Sequence, residues 1–289
     1  MGFLSRGEKI MKLSRMNKFY FKTIIYILLI LGTLFCILPL LWLARSSLMT
    51  MQEIFSLPPK LLPKTPQWKN YIDMFTVLPF GRFFINTVFI VTINVIGALF
   101  SNTIIAYAFA RINFRGKNIM FALCLSTLMI PTTVTMIPLF IEWKYLGGIN
   151  TFAPLTVLSF FGNALYIFML HQFFRTIPLE YDEAAFVDGA SYPQIVLKII
   201  VPMSKPALAV IAIFTFMTSW NDFMGPLLYL NDQDKFTISL GLKSFLSMYG
   251  SQWHLLMAAS TLAVLPLLFL YFFAQKYFIE GLTMGGLKG

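Results

Sequence analysis

Four carboxylates fall within nine residues, at Glu180, Asp182, Glu183 and Asp188, while the long apolar runs on either side hold almost none. They sit in one polar stretch, residues 177–206. Two readings fit them: a solvated amphipathic loop, or a charged surface shaped for a protein partner. Catalytic readings lack their parts. No GxxxxGK[ST] phosphate loop occurs, so ATP hydrolysis is not expected of this chain. There is no HExxH, no clustered His/Cys set, and the two histidines, His171 and His254, lie far apart. The chain therefore reads as a non-enzyme with no bound cofactor and no metal site. The other polar groups of interest stand inside apolar runs: Asn94, Asn163, Trp220, Asn221 and Asp222. Uncharged amides and aromatic faces of this kind can line a pathway for an uncharged polar solute, since buried polar groups must be paired. For Asn94 an interhelix hydrogen bond is the competing role. For Asp222 the competing role is positioning near an outer gate, although acids within membrane segments are functional candidates by default.

The local signals of residues 177–206 predict a helix, a sharp turn and a second helix. Pro178 suits a first helical turn, where its missing N–H is no loss. Residues 181–188 read as helix, with Ala184 and Ala185 as the best formers. Gly189 ends it as a left-handed residue. Ser191 caps the second helix, with Pro193 in its first turn. Pro202 and Pro206 are expected to break the chain again. Helices this short are marginal alone in water, so they need a docking surface.

The solvent for the rest of the chain is lipid. Hydrophobic residues make up 58% of the 289 and charged residues 12%, against about 25% charged in soluble domains. Long apolar runs without period-two alternation select helices over a barrel. Six spans are expected, at about 24–43, 83–110, 119–140, 152–174, 206–229 and 253–278. Span 2 carries so many polar side chains that one of its sides must face protein. Span 3 is interrupted by Pro131 and Pro138. A basic tail (1–22) precedes the transmembrane domain (23–280), and a glycine-rich tail (281–289) follows it. The segment 45–82 is an irregular, proline-rich connection with a short surface helix near residues 68–75. A polar loop covers 230–252. Cys36 and Cys124 lie in apolar runs and read as packing residues.

The net charge of +10 is spread over the ends of apolar runs, so nucleic acid is not an implied partner. With six spans, the side holding both termini and residues 177–206 carries 14 Lys and Arg, the other side 8. That places both termini and the acidic loop in the cytoplasm.

The spacing Glu183-Ala184-Ala185, three residues, Gly189, nine residues, Ile199-x-Val201-Pro202 resembles the EAA loop of binding-protein-dependent ABC import permeases. Val201 stands where that family usually has Leu. The longer string EAAFVDGASYPQIVLKIIVPMSKP, the WNDFMGPLL segment and the last span resemble the carbohydrate (MalG-like) branch. The resemblance implies an all-α type I ABC importer permease (MetI-like) architecture in a bacterial cytoplasmic membrane, with a cytoplasmic coupling helix between spans 4 and 5. It implies a second homologous permease subunit, two ATPase subunits that bind ATP and Mg, an external sugar-binding protein, and a sugar substrate. Glu180, Asp182, Glu183, Ala184, Ala185, Asp188, Gly189, Ser191 and Pro202 would then meet the ATPase. The glycine-rich tail either touches the ATPase or frays. Two rival readings stand: the same architecture for another solute (a glycerol phosphodiester, phosphate or an amino acid), and an ion-driven secondary transporter. Against the second, no repeat relates the halves and no acid stands centrally in a span.

Overall fold

A computed structural model describes residues 6–246 and 252–286. Among them the regular structure is all helical, with no strand. The chain divides into two units, Met1–Ile72 with Gln252–Thr261, and Asp73–Ser251 with Leu262–Gly289.

In the first unit one helix runs Arg6–Ser47, so the backbone of the expected basic tail is helical from residue 6. Its apolar stretch, Phe21–Ser47, has a mean hydropathy of 2.8 and no buried residue in its most apolar window. Pro39 lies inside the helix without ending it. The proline-rich connection that follows is ordered by hydrogen bonds. Asn70 Nδ2 donates to the carbonyls of Ser47 (2.8 Å) and Met49 (3.0 Å). The Glu53 carboxylate accepts from the Thr50 and Lys64 amides, both at 3.2 Å, and stands 3.9 Å from Lys60. The Thr50 amide first, then that of Lys64, holds the Glu53 carboxyl below its ordinary range. The surface helix is present, at Asn70–Val77.

The second unit is built on the helix Phe80–Arg111. It packs against Lys205–Trp220 and Ala164–Phe174. Thr87, Asn94, Ser101, Asn102 and Thr103 are buried along it, as expected of a span facing protein. Hydroxyls along it bond nearby carbonyls: Thr87 Oγ1 donates to Phe83 O, and Ser101 Oγ to Gly97 O and Ser159 O. At Gly97 a Cβ would overlap Ser159 and the Phe160 ring, so only glycine permits this approach.

Three expected spans prove discontinuous. Lys117–Met129 and Thr132–Tyr145 meet at 98°, with the break at Pro131. Pro138 lies inside the second piece and does not break it. The fourth span changes from Ala153–Thr156 through a 3-10 turn, Val157–Phe161, to Ala164–Phe174. The fifth ends at Trp220, and Met224–Tyr229 forms a separate helix. Among the described residues, four helices are long and apolar enough to cross a membrane, or up to six if each bent pair is one span.

The loop expected at 230–252 is partly helical, at Ile238–Ser244. It is pinned to the start of Phe80–Arg111: Asn86 Nδ2 donates to Asp234 O and Phe236 O, the Ile238 amide to Thr87 Oγ1, and Arg82 pairs with Asp234 at 3.1 Å. The last helix, Trp253–Gly286, carries the glycine-rich segment as far as Gly286; the rest of that tail lies outside the described residues. Both cysteines are free.

Candidate functional site: an acidic loop and a polar cleft

The acidic loop folds much as its local signals predict. Its first helix is Glu180–Val187, and Gly189 takes φ +79°. The Gly189 amide donates to Phe186 O (3.0 Å) and the Ala190 amide to Ala185 O (2.9 Å), the paired bonds of a Schellman turn. Pro178 sits outside the helix rather than in its first turn, because the N-cap is Leu179. In the second helix the Ser191 amide and hydroxyl donate to Gln194 Oε1 at 2.8 and 3.1 Å, and Pro193 is in the first turn. Pro202 does not break the chain. A π turn, Val196–Ile200, precedes it and the helical course continues to Met203. The sharp bend, 84°, comes at Ser204. Pro206 falls in the first turn of Lys205–Trp220.

The four acids do not form one surface. Glu180, Glu183 and Asp188 are exposed, with Ala184, Gly189, Ser191 and Pro202. Asp182 and Ala185 turn inward, one helical turn apart on the same face. This corrects the expectation that both meet a partner. Asp182 pairs instead with Arg111, Oδ2 to Nε at 3.3 Å, and both side chains are almost wholly buried. Burial pushes the Asp182 carboxyl above its ordinary value and Arg111 pulls it back. Ala185 joins an apolar cluster with Tyr107, Phe109, Phe174, Ile195 and Ile200. The outward face is amphipathic rather than merely acidic: Val187 is 88% exposed, and Leu179, Tyr181, Phe186 and Tyr192 are exposed too. An exposed apolar patch rimmed by charge marks an interaction surface. Sequence reasoning missed Arg111, which holds the loop from its buried side, away from the exposed face.

A cleft of about 770 Å³ opens in the same unit, lined by Asn94, Asn102, Ser159, Asn163, Thr218, Ser219 and Asp222 among others. Three of the five expected pathway residues reach it. The other two do not. Trp220 is buried, donates its indole N–H to Ala263 O (3.1 Å) and stacks on Phe216, so it is a packing residue. Asn221 is exposed outside the lining and bonds back to Met217 O. Asn163 is an N-cap: its Oδ1 accepts from the Leu165 and Tyr166 amides, and its own amide donates to Asn102 Oδ1 at 2.7 Å. Asn94 Nδ2 reaches Ser219 Oγ at 3.1 Å, which joins two helices, while its Oδ1 is buried without a partner, as is Thr215 Oγ1 on the same wall. Asp222 Oδ1 accepts from the Gly225 amide (3.1 Å) and is the one charged side chain in the lining. Asp222→Asn keeps an acceptor for that turn and removes the charge. Uptake by the variant is expected to fall; full uptake would leave Asp222 only its turn bond.

Residues 102–283 match the family described as the binding-protein-dependent transport system inner membrane component. The chain belongs to that family. It is an ABC importer permease, a multi-pass membrane protein. It is 36% identical over 228 residues to the arabinooligosaccharides transport system permease of Halalkalibacterium halodurans, covering 78% of this chain and 81% of that one. Identity to the diacetylchitobiose uptake system permease of Streptomyces coelicolor is 32% over 269 residues, covering 92% and 88%. Identity to the sn-glycerol-3-phosphate transport system permease of Pectobacterium atrosepticum is 31% over 266 residues, covering 89% and 94%. The fold is that of a chain in a bacterial ABC transporter involved in import of the acidic polysaccharide alginate, with a TM-score of 0.78, 24% identity, and coverage of 96% of this permease and all of that chain.

Proposed function

We propose that this permease forms half of the translocation pathway of an ATP-driven sugar importer. The cleft carries the reading: amides and hydroxyls stand among apolar side chains on its wall, no side chain in the lining is basic, and polar atoms at Asn94 and Thr215 are unpaired. Such a wall can exchange hydrogen bonds with a neutral polyhydroxyl solute, and its one charge, Asp222, disfavours a phosphate or a carboxylate. Relatives named for oligosaccharides support the same class. A second permease completes the pathway, a sugar-binding protein delivers the solute, and two ATPase subunits take up the exposed face of residues 179–192. ATP and Mg belong to those subunits; this chain binds no cofactor. The three exposed acids and Val187 supply charge and apolar area for that contact. Both termini and the acidic loop lie in the cytoplasm, by the distribution of Lys and Arg.

Purification from native membranes in mild detergent is expected to bring a P-loop ATPase, a second permease and a sugar-binding protein with this chain, identified by mass spectrometry. Uptake in proteoliposomes is expected to require ATP. A chain recovered alone, or uptake driven by an ion gradient, would sink the reading. A reporter fused after Gly241 should read outside; activity in the cytoplasm would overturn the orientation.

A further inference from the structure

Arg111 is the last residue of the helix Phe80–Arg111, and its side chain is almost wholly buried. Its guanidinium meets three elements at once. Nε faces Asp182 in the first helix of the acidic loop, at 3.3 Å. Nη2 donates to Phe174 O (2.8 Å), at the end of the fourth span, and to Ile177 O (2.6 Å), where the loop begins. Two different nitrogens of the planar fork, Nε and Nη2, are engaged, an arrangement that a point-like ammonium does not reproduce. One turn earlier on the same helix, Tyr107 meets the Tyr192 ring edge-on at 6.5 Å, and Tyr192 meets Phe186 at 5.0 Å. The last turns of this helix therefore grip both helices of the loop. The same helix also walls the cleft. Asn102 stands nine residues before Arg111 and Asn94 seventeen, about 14 and 26 Å away along a rigid helix.

We propose that Arg111 is a positioning residue that makes the acidic loop and the cleft wall move as one body. Displacement of the loop by its partner is delivered along the helix to Asn94 and Asn102. The proposal rests on the coupling role given to the loop above and adds the residue through which the motion passes. A buried ion pair is a costly way to gain stability alone, since desolvation offsets most of the attraction. Here the pair is also incompletely satisfied: Arg111 Nε is held by charge and not by a hydrogen bond, and Asp182 Oδ1 is buried without a partner, as is the neighbouring Tyr107 hydroxyl. An apolar contact would hold the loop as well. The fork instead fixes its direction relative to one particular helix.

The test needs no knowledge of the sugar. The full complex is placed in nanodiscs with Cys36→Ala and Cys124→Ala, and Thr218→Cys is introduced on the cleft wall as an accessibility probe. Its rate of labelling by a water-soluble maleimide is measured with and without ATP and orthovanadate, and ATP hydrolysis is followed in parallel. In this parent the nucleotide is expected to change labelling by about tenfold. With Arg111→Gln the change should shrink to less than about twofold, while subunit recovery and basal hydrolysis stay within about twofold of the parent. Arg111→Lys and Asp182→Asn should fall between. Undiminished nucleotide-dependent labelling in Arg111→Gln overturns the proposal. If that variant yields no complex, undiminished labelling in both Arg111→Lys and Asp182→Asn does so. Loss of labelling change in strict proportion to lost complex assigns Arg111 to assembly and also overturns it. A parent that shows no nucleotide response fails at the coupling reading itself, and the proposal falls with it.

Discussion

Gly189→Val is expected to cut ATP-driven uptake at least about tenfold while the chain still inserts in the membrane and still purifies with its second permease. The reason is confined to the backbone. Gly189 holds φ +79°, and a Cβ there would meet nothing within 4 Å. An L-residue in that region carries a strain of about 1–2 kcal/mol, and a β-branched one more. The chain relieves it by giving up the turn, and with it the Ala190 bond to Ala185 O. Tyr192 and the second helix would then leave the position that the Schellman turn gives them. Gly189→Asn, whose residue type tolerates the left-handed region, should keep most uptake. Proteoliposome uptake and ATP hydrolysis measured on both variants decide it. Uptake by the Val variant within about twofold of the parent, when a strain worth a factor of ten is expected, would mean that the turn does not position the contact surface.

Asn102→Leu should be the most damaging single change in the cleft wall. Asn102 is 1% exposed and does two things at once: Nδ2 bonds Ala98 O (2.6 Å) and Oδ1 takes the Asn163 amide (2.7 Å). The second bond serves the break in the fourth span, where Gly162 turns at φ +85° and the first turn of Ala164–Phe174 has amides left over. Leucine has a similar branched shape but is bulkier and offers no acceptor. An unpaired buried amide costs about 1–3 kcal/mol. Asn163→Ala loses only a cap, about 1 kcal/mol. Thermal unfolding and uptake of the two purified complexes should therefore both rank Asn102→Leu as the worse variant. The reverse order would show that the cap, not the amide, holds the break.

What could be read from the chain alone follows from the range of each signal. The turn at Gly189, the cap at Ser191 and the placement of Pro193 depend on bonds between residues three to five apart. The all-helical membrane class followed from composition, because lipid leaves backbone groups no other way to pair. Even the inward turn of Asp182 has a local trace, since Asp182 and Ala185 share a helix face that Glu180, Glu183 and Asp188 do not. What occupies that face is not local. Arg111 lies far upstream in another span, and only packing brings it to Asp182. The two prolines of span 3 show the same division. Both can break a helix, but Pro131 sits at the 98° bend while Pro138 is absorbed within Thr132–Tyr145. Trp220, Asn94, Asn163 and Asp222 carried similar polar promise in the sequence. Tertiary structure sent the indole to Ala263 O and the other three to the cleft. Composition and local spacing settled the membrane class and the loop's turn. Which polar side chains face the cleft and which charge anchors the loop were decided by the fold, because a buried polar group is settled by the partner that reaches it.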